Sequence, residues 1–133
     1  MISVENAKNA IASAQRKARD LSINISVVIV DQNGLIIAAE RMDNALPISP
    51  RFAYAKAYTA AVLRMPTNTL AEFAQPGKPY FGVTSIFGGE FTDIPGGLPV
   101  TINKRIVGGV GVGGGEVKQD EECANVAMKV LES

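Results

Sequence analysis

The chain has 133 residues, enough for one domain with a core that needs no staples. Its 13 lysines and arginines balance its 13 aspartates and glutamates, so no long-range field draws in nucleic acid or an anionic membrane. A single cysteine, Cys123, excludes an internal disulfide and fits a reducing compartment, and the complete lack of histidine excludes Ser-His-Asp and Cys-His catalysis and most zinc sites.

The opening Met1-Ile2-Ser3-Val4-Glu5 has no basic stretch leading into an apolar one, so no leader is expected and a cytoplasmic location is. From Val4 to Leu21 the apolar positions Val4, Ala7, Ile11, Ala14, Ala18 and Leu21 recur at three-four spacing, which predicts an amphipathic helix capped by Ser3. Two β-branched runs follow, Ile25–Asp31 and Leu35–Arg41, joined by Gln32-Asn33-Gly34. Asn-Gly between such runs predicts a hairpin, and apolar residues on both faces predict two central strands. Asp31 is expected to start the turn by bonding its own backbone.

Ser49-Pro50 predicts a second helix to about Leu63, with Ser49 as cap and Pro50 in the first turn; Pro66 stops it. Thr67 is expected to cap a short third helix through Phe73. Residues 80–97 are irregular, with one short strand expected near Phe91. Val100–Ile102 and Ile106–Val112 predict a second hairpin turning at Asn103-Lys104. A last helix, Val117–Leu131, is expected to bury Val117, Ala124, Ala127 and Leu131. The expected order is α-β-β-α(2-3)-β-β-β-α, an α+β fold on an antiparallel sheet.

The segment Gly96–Glu116 holds eight glycines around two short apolar runs and ends in Gly113-Gly114-Gly115 at the start of a helix. Glycine bares the backbone to close approach. A phosphate is a poor candidate. Glu116, Asp120, Glu121 and Glu122 already complement that helix's dipole, and neither a Walker motif nor a dinucleotide fingerprint is complete. The other reading is structural, a tight strand-to-helix corner and a close-packed strand.

Val30-Asp31-x-x-Gly34, Glu40-Arg41-Met42-Asp43, Ala55 to Ala60, Gln75-Pro76-Gly77, Gly96 to Val100, and Gly108 to Gly115 with Gln119-Asp120-Glu121 occur in that order. As an ordered set, spanning about Val4 to Leu131, they resemble the GlcG/HbpS family, which includes the C-terminal domain of PduO-type adenosyltransferases. The resemblance implies a profilin-like fold with an antiparallel five-stranded sheet, homo-oligomers and, for some members, haem binding. Without histidine, iron ligation would fall to Tyr54, Tyr58, Tyr80, Met42, Met65, Cys123 or Thr59, so any haem is expected to bind weakly. Cys123 and the two helical tyrosines also read as core residues.

The ligand-site residues singled out are Lys56, Arg41, Asp43, Phe81, Gly96, Gly97, Leu98 and Gly114. Lys56 interrupts an alanine-rich helix, either on a solvated face or as a cation at a pocket mouth. Arg41 and Asp43 flank Met42, either pairing with each other or flanking a site. Two functions compete. One is a non-catalytic module holding haem or a related planar or carboxylated small molecule against Lys56, Phe81, Leu98 and the glycine hairpin. The other is a small histidine-free enzyme or accessory protein of glycolate- or diol-type metabolism, with Lys56 or Arg41 orienting a carboxylate and Asp43 as base. A homo-oligomer is expected because 47% of the residues are hydrophobic.

Overall fold

Ser3 Oγ accepts a hydrogen bond from the Asn6 amide at 3.0 Å and so starts α1 (Val4–Asp20). Beyond it the computed structural model, which describes all 133 residues, places β1 (Ser26–Asp31), β2 (Ile36–Arg41), α2 (Ser49–Leu63), α3 (Thr67–Phe73), two single 3-10 turns (Val83–Ser85 and Phe87–Gly89), β3 (Gly97–Ile102), β4 (Arg105–Gly113) and α4 (Val117–Glu132). The four strands form one antiparallel sheet in the order β2-β1-β4-β3. No helix is long and apolar enough to cross a membrane.

Both hairpins form where the turn residues predict them. At the first, Asp31 Oδ1 accepts from the amides of Asn33 at 2.8 Å and Leu35 at 3.0 Å, and Gly34 takes φ +81°. At the second, Asn103 and Lys104 both adopt positive φ, 51° and 66°, the backbone of a two-residue turn matched to strand twist.

Several expectations are corrected. The sheet has four strands rather than five, and Phe91 lies outside it. Phe91 instead packs its ring on Tyr58, and the Thr92 amide donates to Thr59 Oγ1 at 2.9 Å, so α2 holds this stretch in place of a strand partner. Strand β2 is an edge, not central, and leaves Ile36 exposed, as is Leu35 before it. Val117 is 40% exposed rather than buried. Ser49 and Thr67 are first helical residues, after Ile48 and Pro66 at the cap positions. Their hydroxyls find sheet partners instead: Ser49 pairs with Ser26 of β1 at 2.8 Å, and Thr67 accepts from the Gly97 amide of β3 at 3.0 Å.

The sheet separates two helical layers. On one face Val27, Ile29, Val100, Val110 and Val112 pack with the Ala7, Ile11, Ala14 and Ala18 face of α1 and with Cys123, Ala124, Ala127 and Leu131 of α4. On the other, Val28 and Val30 pack with Ala53, Ala57 and Ala61 of α2. Between those alanines and β4 nothing protrudes, because Gly109, Gly111 and Gly113 alternate along the α2-facing side. A Cβ on Gly109 would lie 2.6 Å from the Ala57 carbonyl oxygen, and one on Gly111 would collide with the Ala53 carbonyl.

Gly111→Ala is therefore expected to cost about 2–3 kcal/mol, since the obstacle is helix backbone and not a side chain that can turn away. Urea unfolding measures it, and a midpoint equal to wild type would contradict this packing.

Candidate functional site

Lys56 lies on α2 among these alanines and is 2% exposed. It occupies neither a solvated face nor a pocket mouth. Its Nζ donates to the Val112 carbonyl of β4 at 2.8 Å and to Asp120 Oδ2 of α4 at 3.0 Å. Asp120 is equally enclosed, and its Oδ1 accepts from the Gly115 amide at 2.9 Å. One side chain thus links the two helical layers around the end of the sheet. No buried side-chain nitrogen or oxygen lacks a partner, as burial of polar groups demands.

The glycines singled out in the sequence frame this pair. Gly96 takes φ +125° and leaves room for the Lys56 chain, while a Cβ on Gly97 would strike the Lys56 carbonyl. Gly114, at φ +120°, packs against the backbone of Asn24 and Ile25, and Leu98 is half-buried against the core. The corner is closed by the protein's own backbone. Gln119 Oε1 accepts from the Glu116 amide at 3.0 Å and takes one of the donors that an anion would have needed.

The remaining expected residues lie elsewhere. Arg41 and Asp43 are exposed and do not pair with each other; Arg41 Nη1 donates weakly to the Ala45 carbonyl at 3.4 Å. Strand β1 separates Arg41 from the Lys56 partner strand β4. Phe81 is 64% exposed in the segment after α3. That segment contributes to an aromatic surface whose extent the sequence did not reveal. Tyr54 and Tyr58 meet at 5.8 Å with their rings tilted, Tyr58 meets the buried Phe91 at 5.7 Å, and Phe91 meets Phe87 at 5.8 Å. Asp120 was likewise legible only as a dipole-complementing acid. The available signal was Lys56 itself, since a lysine on an alanine-rich face has to find a carboxylate if that face is buried.

Electrostatics follow burial. Desolvation raises the Asp120 carboxyl above its ordinary range, opposed by the charge and hydrogen bond of Lys56 and by the Gly115 amide. Burial, then the charges of Asp120 and Glu122, push the Cys123 thiol up to about 11, so it is no thiolate at neutral pH. Thr59 Oγ1 already accepts from Thr92, and Met42 Sδ accepts from the Ile25 amide at 3.4 Å. Those three potential iron ligands are committed to the fold, and Tyr80 packs its ring on Phe73 at 6.2 Å. No group of three or more acidic or cysteine residues is placed to hold a metal ion.

The fold and this site define a small α+β domain with a four-stranded antiparallel sheet, a closed glycine corner and an aromatic outer surface. Residues 2–129 match the HbpS-like family, described as "Haem degrading protein HbpS-like", and the chain belongs to it. It is 33% identical over 127 residues to an uncharacterized 15.0 kDa protein of Citrobacter freundii, covering 96% of this chain and 89% of that one. It is 32% identical over 119 residues to the corrinoid adenosyltransferase PduO of Salmonella typhimurium, covering 90% of this chain but 35% of the relative. A crystal structure of a PduOC:heme complex superposes with a TM-score of 0.94 at 28% identity, covering 100% of this chain and 99% of that one.

Lys56→Met is expected to destabilise the fold by about 3–5 kcal/mol at neutral pH, because Asp120 is left charged and unpaired. Losing Lys56 removes influences that hold the Asp120 pKa down, so its folded value rises further above the unfolded one. The penalty is complete above the folded pKa, shrinks as pH falls through it, and is gone below the unfolded one. Urea melts across pH test this, and Lys56→Met/Asp120→Asn should recover most of the loss.

Proposed function

We propose that this is a ligand-binding domain that holds haem, or a related planar carboxylated molecule, on an aromatic patch of Phe87 and the half-buried Tyr54 and Tyr58, backed by the buried Phe91, with Phe81 from the same irregular segment. The observation that carries the reading is that surface itself. Phe87, which is 71% exposed, meets the buried Phe91 edge-on, and Phe91 in turn supports the half-buried Tyr58 and, through it, Tyr54. Such rings fit the apolar face of a porphyrin. The haem bound by the structurally similar PduOC supports the same ligand class.

Iron ligation is the weak point of the fit. The chain has no imidazole, and the phenols are poorly prepared to replace one. Burial first, then hydrogen bonding and charge from Glu90, raise the Tyr58 pKa; burial and Glu90 raise that of Tyr54. Both phenols keep their protons at neutral pH. Binding then rests on apolar contact, with any exposed cation that pairs a propionate adding only ~0–1 kcal/mol. The enzyme reading has less support, because Lys56 is internal and Arg41 and Asp43 are not gathered around it.

Haem titration read at the Soret band is expected to give saturable binding of about micromolar affinity. Phe87→Ala should weaken it roughly tenfold through lost apolar contact. Glu90→Gln should let Tyr58 titrate at lower pH. No Soret change, or tight binding that survives Phe87→Ala, contradicts the proposal. The domain is also proposed to self-associate, since Leu35, Ile36 and Leu46 are exposed by 64%, 58% and 59%. Light scattering should then give a mass above the 14.0 kDa of one chain.

A further inference from the structure

A cleft of about 860 Å³ opens where both hairpin turns and the end of α2 meet. Three cationic side chains line it, Arg64, Lys104 and Arg105, against one carboxylate, Asp31. In a chain of net charge zero this is a local excess of two positive side-chain charges. None of the three cations is paired, since both ion pairs of the molecule lie elsewhere, Lys17–Glu122 and Lys56–Asp120. Asp31 is occupied in part by its own turn. Ile37, Ala61 and Val107 give the cleft an apolar wall, and no aromatic residue lines it.

The backbone supplies a second observation. Arg64 ends α2 at φ 59°, and Lys104 sits in its turn at φ 66°. Glycine holds both kinds of position with less strain. Two long cations therefore occupy left-handed positions, and both line the same cleft. Strained backbone of this kind gathers at ligand clamps.

We propose that this cleft binds a small organic oxyanion, a carboxylate or phosphate ester whose apolar part lies on Ile37 and Val107. The charged end pairs with Arg64, Lys104 and Arg105. The site is separate from the aromatic surface proposed for haem, and it can fail while that one stands.

The test is titration of the full chain with succinate and with inorganic phosphate, followed by amide chemical shifts, with succinamide as the neutral control. Saturable shifts around Arg64 and Lys104 are expected with at least one anion, weakening as potassium chloride is added. Whichever anion binds tells carboxylate from phosphate. Arg64→Gly/Lys104→Gly should lower affinity roughly tenfold while thermal stability holds or rises, a combination that a purely structural role does not produce. Arg105→Glu, on an exposed position, gives the same loss of binding without touching either strained residue. The proposal is overturned if neither anion gives saturable shifts, if succinamide matches them, or if both variants bind as wild type does.

Discussion

The close approach of α2 to β4 governs the rest of this structure. A helix normally stands off a sheet by the length of the side chains between them, but here one partner offers alanine and the other glycine. Ala53, Ala57 and Ala61 recur at helical spacing, and Gly109, Gly111 and Gly113 at strand spacing, so both small-residue rows fall on the shared face. The gain is many short dispersion contacts. The constraint is that almost nothing larger can be added, which is why the glycine-rich segment is filled by the protein's own helix.

That packing leaves no room for Lys56 to remain apolar-facing and unpaired. Its amine has to leave the α2 interface, and Gly96 provides the passage to Asp120 on the other side. The pair ties the start of α4 to α2 with a geometry that a purely apolar contact would not impose. Burying both charges is costly, and the compensation comes from direct pairing together with the Val112 carbonyl and the Gly115 amide. With the interior committed in this way, the two proposed ligand sites lie on the outer surfaces. Both present exposed residues, Phe87 at one and Lys104 and Arg105 at the other, over buried ones, Phe91 and Ala61.

Membership of the HbpS-like family does not by itself assign chemistry to these surfaces. The chain carries no histidine, and its thiol is protonated and enclosed. The groups left for the proposed recognition are ring faces, unpaired cations and phenols that keep their protons.

Local chemistry made much of the fold legible. The three-four spacing of α1 and α4, Asp31-x-x-Gly34 and Asn103-Lys104 each act over a few residues, and the structure forms each element they predict. What failed depended on distant partners. Ser49 and Thr67 have the right chemistry for caps, but Ser26 and Gly97 take up their hydroxyls. The apolar pattern of β2 reads the same for an edge as for a centre, and only pairing decides which it is. Phe91 has strand propensity, yet Tyr58 and Thr59 hold its segment on a helix. Lys56 and Asp120 are 64 positions apart, so their pairing has no local signature. The turns, the helices and the glycine bareness of β4 are properties of short stretches of chain, and so they could be read before any partner was known. Tertiary structure decided what fills the glycine surface, which charges are buried and which rings remain outside, because each depends on what lies opposite in space.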